Sequence, residues 1–169
     1  MKRRSAGLLM YRIRDGVPQV LLIHPGGPFW TRKDAGAWSI PKGEYDDDED
    51  PLTAAKREFV EETGFVPGAT FVELQPIRQA GGKKVMAWAF EGDCDPSQMV
   101  SNTFEIEWPP RSGRMATFPE ADKAAWFDLE TARGKMHVGQ LPFLEELDTV
   151  IRHGGSRSPR VSLISGSNQ

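Results

Sequence analysis

The sequence predicts an α/β fold, a mixed sheet covered by helices, and three observations carry that expectation. Strand-like and helix-like segments interleave without the regular alternation of a doubly wound sheet. The chain opens on two apolar runs around an Asp-Gly turn and closes on an amphipathic helix. Its 169 residues, 38% hydrophobic and 27% charged, suffice for one domain with its own core. That domain is expected over residues 1–153, with the Ser/Gly-rich residues 154–169 as a mobile tail.

The elements follow in order. "SAGLLMYRI" and "QVLLIH" flank "RDGVP" and read as a hairpin. The run before Arg12 is too short for a signal-peptide core or a membrane span, so a strand in a cytoplasmic protein is expected. "PGGPFWTRKDAGAW" is a long Gly/Pro-rich loop carrying Phe29 and Trp30, of a length that is often functional. A helix then has clean punctuation: Asp50 to cap it, Pro51 in its first turn, and Gly64 for the left-handed C-terminal position. Strands are expected at "TFVELQPIRQ", "KKVMAWAFEG" and "NTFEIEWP". "KAAWFDLETARGKM" reads as a strand end running into a short helix. "LPFLEELDTVIRH", with Leu144, Leu147 and Ile151 at helical spacing, is the closing helix.

Composition excludes several classes. A net charge of -3 provides no field for general nucleic-acid binding, so no extended nucleic acid and no membrane partner is expected. A phosphate-bearing small molecule remains open, given a local cation. The one cysteine, Cys94, rules out an intramolecular disulfide and a cysteine-rich metal site. His24, His137 and His153 are scattered without ligand spacing and read as surface or loop residues.

The segment "GEYDDDEDPLTAAKREFVEETGF" raises a physical problem. On a helix advancing about 100° per residue, Glu61 and Glu62 lie within about 60° of Glu58. Leu52, Ala55 and Phe59 form an apolar stripe beside them, so the carboxylates border the buried face. Glu58 and Glu62 are a like-charge pair at i,i+4, which costs about 0.2–0.5 kcal/mol even when exposed. Either the face is solvated, with Arg57 pairing to Glu61, or a hard divalent cation turns the repelling cluster into a ligand set.

Read whole, the segment has the form G-x5-E-x7-R-E-U-x-E-E-x-G-U, where U is apolar, over Gly43–Phe65. This resembles the Nudix box, the signature of the Nudix hydrolases. A chance match in one register is on the order of 10⁻⁹. Phe59 departs from the usual aliphatic residue and leaves the ligands untouched. The resemblance implies an α/β/α sandwich around the mixed sheet. It also implies Mg²⁺, with Mn²⁺ as a substitute, on Glu58, Glu61 and Glu62. Arg57 and Glu49 would pair to fix the loop against the helix and, with Glu61, count among the catalytic groups. Gly43 and Gly64 would permit the backbone turns at either end. Lys42, in "PKG", would stand near phosphate.

A later segment, "PEADKAAWFDLETA", resembles a family loop with a glutamate six residues before an aromatic; here these are Glu120 and Trp126. Glu120 would be the catalytic base or a further metal ligand. The implied reaction splits a nucleoside diphosphate linked to a group X. The "W-x-x-P-K-G" layout is similar to the asymmetric diadenosine-tetraphosphate hydrolases, which makes X a nucleoside polyphosphate or dinucleoside polyphosphate. Nucleoside-diphosphate sugars and a non-catalytic nucleotide-binding module are the alternatives. Phe29, Trp30 and Trp108 are candidate base platforms, and Arg111 and Arg114 candidate phosphate clamps.

Overall fold

Strand β1 (Arg4–Arg14) is the middle of the molecule, and its apolar run serves two cores at once. Alternate side chains of a strand point to opposite faces. Ala6, Leu8 and Met10 therefore pack with Leu52, Ala55, Phe59, Phe71 and Phe90 on one face. Leu9 packs with Val20, Leu22, Val85, Phe143, Leu144 and Leu147 on the other. Such a strand reads as a continuous hydrophobic run rather than an alternating one. A computed structural model describes residues 4–153 and the backbone of Val161–Ser162.

The remaining strands are β2 (Val17–Pro25), β3 (Lys42–Glu44), β4 (Phe71–Glu73), β5 (Ile77–Arg78), β6 (Lys84–Glu91), β7 (Thr103–Glu107), β8 (Met115–Pro119), β9 (Ala121–Asp128) and β10 (Val161–Ser162). The helices are α1 (Pro51–Thr63), α2 (Leu129–Lys135) and α3 (Leu141–Arg152). The main sheet runs β10–β4–β6–β1–β2–β9, with β3 added to β1 and β5 to β6. It is mixed, since β1 and β6 are parallel while β2, β3 and β9 join antiparallel. Helix α1 covers one face and α2 with α3 covers the other, which makes the expected α/β/α sandwich.

The hairpin closes on Asp15 and Gly16, both left-handed (φ 53° and 78°), with Arg14 facing Val17. Two positive φ values in a two-residue loop match the twist of the flanking strands, and Asp-Gly tolerates them.

Several elements differ from the expectations or add to them. "TFVELQPIRQ" is two short strands, because Pro76 has no N–H to continue the ladder between them. Strand β8, where no strand was expected, pairs with β7 as a separate two-stranded ribbon. His24 is neither surface nor loop; it lies in β2 and is 1% exposed. Of the tail expected over residues 154–169, the described part is β10, which pairs with β4; the rest lies outside the described residues.

Candidate active site

Helix α1 is held at both ends as its sequence requires. The Asp50 carboxylate accepts the N–H of Thr53 at 3.0 Å, and Gly64 at φ 76° donates its N–H to the Val60 carbonyl. Leu52, Ala55 and Phe59 anchor the buried face, which fixes the rotation of the helix. That rotation brings Glu58, only 8% exposed, against β3.

Gly43 makes room for it. In β3, Gly43 pairs with Ala6, whose side chain faces α1. A Cβ on Gly43 would overlap the carboxylate carbon and both oxygens of Glu58. Gly43 is not among the left-handed glycines, so its expected role as a turn residue is corrected: it is small because a carboxylate lies on it. One helical turn on, Glu62 Oε2 accepts the backbone N–H of Lys42 at 3.0 Å. Adjacent residues of β3 therefore receive Glu58 and Glu62.

Arg57 is the hub of the remaining acids. Its Nε and Nη2 grip the two oxygens of Glu49 at 2.9 Å each. Its Nη1 donates to Glu58 Oε1 at 2.8 Å and to Glu61 Oε2 at 3.2 Å. The bidentate grip carries geometric specificity as well as charge. It ties the acidic loop before α1 to the helix, and the pairing to Glu61 occurs beside it.

Glu120 stands at the exposed corner between β8 and β9, and its charge is felt at both Glu58 and Glu62. Asn102 links the two halves of the site. Its N–H donates to the Glu61 carbonyl and its carbonyl accepts the Glu120 N–H, both at 2.8 Å.

The electrostatics are those of crowded anions. Burial pushes the Glu62 carboxyl up to about 8, against the hydrogen bond from the Lys42 N–H and with added repulsion from Glu58 and Glu120. Burial also raises Glu58, opposed by Arg57 and reinforced by Glu61 and Glu120. Glu49 is held low by its hydrogen bond from Arg57. Lys42 is depressed, first by burial and then by the charge of Lys83, with Glu62, Glu44 and Glu58 opposing.

The expected substrate contacts are dispersed. The Lys42 side chain alternates with Gly43, so it leaves β3 on the face opposite α1, beside Gly7. Trp30 carries the Lys33 ammonium 5.0 Å above its ring. Arg111 and Arg114 are exposed in the loop joining β7 to β8. Phe29 and Trp108 pack edge to face at 5.4 Å, which fastens the long loop to the ribbon, while Phe29 stays 61% exposed.

Among the described residues, no group of three or more His, Cys, Asp or Glu side chains is arranged to hold a metal ion. Glu58 and Glu61 face Arg57, and Glu62 faces β3. The donor chemistry nevertheless fits a hard cation: carboxylate oxygens only, with Glu58 buried, Glu62 half-buried, and both raised by burial and by neighbouring carboxylates. Also among the described residues, no helix is long and apolar enough to cross a membrane.

The NUDIX domain model matches residues 1–147. The RNA pyrophosphohydrolase of Bartonella henselae is 30% identical over 142 residues, covering 76% of this chain and 78% of that protein. Two solved structures share the fold. The NUDIX domain of Shewanella oneidensis NrtR complexed with ADP ribose superposes with a TM-score of 0.63 at 17% identity, over 89% of each chain. The Ap4A hydrolase of C. elegans, in a binary complex, gives 0.59 at 22% identity, over 90% of this chain and 98% of that one.

Proposed function

The chain belongs to the Nudix family and is a pyrophosphohydrolase of nucleotide-linked substrates; we propose that it cleaves nucleoside polyphosphates or dinucleoside polyphosphates with Mg²⁺ held by Glu58, Glu61 and Glu62. Members of the family are typically Mg²⁺-dependent. The observation that supports the ligand set is the pressing of Glu58 and Glu62 onto β3, where burial and the charges of neighbouring carboxylates raise both carboxyls. An ordinary surface helix gains nothing from that arrangement.

A divalent metal held by Glu58, Glu61 and Glu62 would supply charge neutralisation at the pyrophosphate oxygens and acidify a water. The chain's residues do the rest. Arg57 and Glu49 hold the acidic loop on α1 and keep the carboxylates in register. Glu120 reaches the site from a different element and is free of the Arg57 hub, so it takes the proton from the attacking water. Attack runs in line with the leaving phosphate. Arg111 and Arg114 on the ribbon loop, with Trp30, contact the remainder of the substrate.

The 30% identity to an RNA pyrophosphohydrolase favours a second reading, in which X is the 5′ end of an RNA. An extended nucleic acid would then be a partner, although the net charge alone did not call for one. One panel separates the readings: dinucleoside polyphosphates, nucleoside triphosphates, nucleoside-diphosphate sugars and 5′-triphosphorylated RNA, each with Mg²⁺ and product identification. Fastest turnover of the first two groups is expected. Turnover of RNA alone supports the second reading, and turnover of sugars alone overturns both.

A further inference from the structure

We propose that the end of β2, His24 to Gly26, is a positioning device that acts through Glu120. The proposal rests on the catalytic role given to Glu120 above. Glu120 is on an exposed corner, yet a group that accepts a proton must be held within a fraction of an ångström of its productive place. The question is what holds it.

Both backbone groups of Glu120 are committed. Its N–H donates to the Asn102 carbonyl at 2.8 Å, and its carbonyl accepts the Gly26 N–H at 2.9 Å. The Asn102 side is tied to α1, since Asn102 and Val100 donate to the carbonyls of Glu61 and Thr63. The Gly26 side is tied to the sheet. The approach at Gly26 is so close that a Cβ there would overlap the Pro119 carbonyl oxygen and stand 3.0 Å from its carbon. Both atoms are backbone, so relief requires the corner to move.

The pairing of β2 with β9 shows why the corner faces as it does. His24 pairs with Lys123, but the next residue, Pro25, pairs with Ala121. Asp122 is the extra residue, bulged out of the ladder. A bulge re-aims the chain that follows it, and a slip of one residue turns side chains to the other face. Here the bulge decides whether Glu120 or Ala121 meets Gly26.

His24 holds the bulge in place. It is 1% exposed and stands edge-on to Trp38 at 5.3 Å. Its Nε2 lies 2.6 Å from the Lys33 carbonyl, which can only accept, so Nε2 carries a proton and donates it. Its Nδ1 lies 2.8 Å from Asp122 Oδ1, the side chain of the bulged residue. One imidazole thus joins the long loop, β2 and the strand that leads out of Glu120. Relaxing that link frees the bulge to slip and carries the carboxylate away from Glu58 and Glu62.

The test is a double-mutant cycle against Glu120→Gln, with kcat and KM measured separately. Asp122→Ala and Gly26→Ala are each expected to lower kcat by about 10²-fold, the cost of a misplacement near 1 Å, with KM unchanged. In the Glu120→Gln background each is expected to cost less than about twofold. Asp122→Asn, which can still hydrogen-bond to Nδ1, is expected to restore most of the loss. Losses that multiply independently of Glu120, or a loss confined to KM, overturn the proposal. A wild-type kcat for Glu120→Gln overturns the role of Glu120 itself, and the device with it. Asp122 is partly exposed, so its variants read out the bulge even where Gly26→Ala does not fold.

Discussion

The carboxylate of Glu58 lies directly on the Cα of Gly43, in the space that any other residue would fill with its Cβ. Glycine is thus used for close approach rather than for a left-handed turn, and the first glycine of the box is coupled to its first helical glutamate. Gly43→Ala is expected to leave α1 and the sheet folded while displacing Glu58, with kcat lower by about 10²-fold. Thermal unfolding and steady-state kinetics check the two halves. Wild-type kcat with an intact fold contradicts the assignment of Glu58.

Arg57 joins Glu49, Glu58 and Glu61 through one guanidinium. Arg57→Ala and Glu49→Ala are each expected to lower kcat by tenfold or more, on the order of 1.4 kcal/mol. The double variant should be little worse than either, because both break the same link. Additive losses in the cycle would leave Arg57 as an independent substrate contact.

The metal-free protein is expected to lose stability as pH rises. Glu62 has a folded value of about 8 against an ordinary 4.5. Its folded pKa is thus raised, so the protonated form is favoured by folding. The associated stability is fully present below about 4.5 and is lost as pH rises through about 8. Unfolding temperatures in a chelator between those limits check this. Glu62→Gln should flatten the slope, and an equal slope in that variant assigns it to other groups.

Arg111→Ala and Arg114→Ala are expected to raise KM by about tenfold at unchanged kcat, as loss of binding shared by ground and transition states requires. A fall in kcat alone would move these arginines into the chemistry.

Much of this was legible in the sequence because it is local. Cap, apolar stripe and glutamate spacing all lie within one helix, and Asp50, Gly64 and Phe59 do what their types dictate. The role of Gly43 was not legible, because it depends on β3 pairing with β1, where Gly43 meets Ala6 from far along the chain.

 In plain terms, β3 meets β1 across a long stretch of chain, and no local pattern announces that Gly43 will lie under Glu58. The bulge at Asp122 and the ribbon of β7 and β8 are hidden for the same reason, since each is set by a partner strand. His24 did leave a signal: in "QVLLIH" it shares a face with Val20 and Leu22, both buried, so alternation alone places it inside.

The central claim is that the α1 carboxylates hold the divalent ion on which turnover depends, and Mn²⁺ binding followed by electron paramagnetic resonance tests it most directly when paired with kcat. Wild-type protein should bind Mn²⁺ and turn over substrate. Glu61→Gln and Glu62→Gln should stay folded, bind Mn²⁺ more weakly, and lose kcat by about 10²-fold or more. Either variant keeping wild-type Mn²⁺ binding and wild-type kcat at saturating Mg²⁺ would contradict the account.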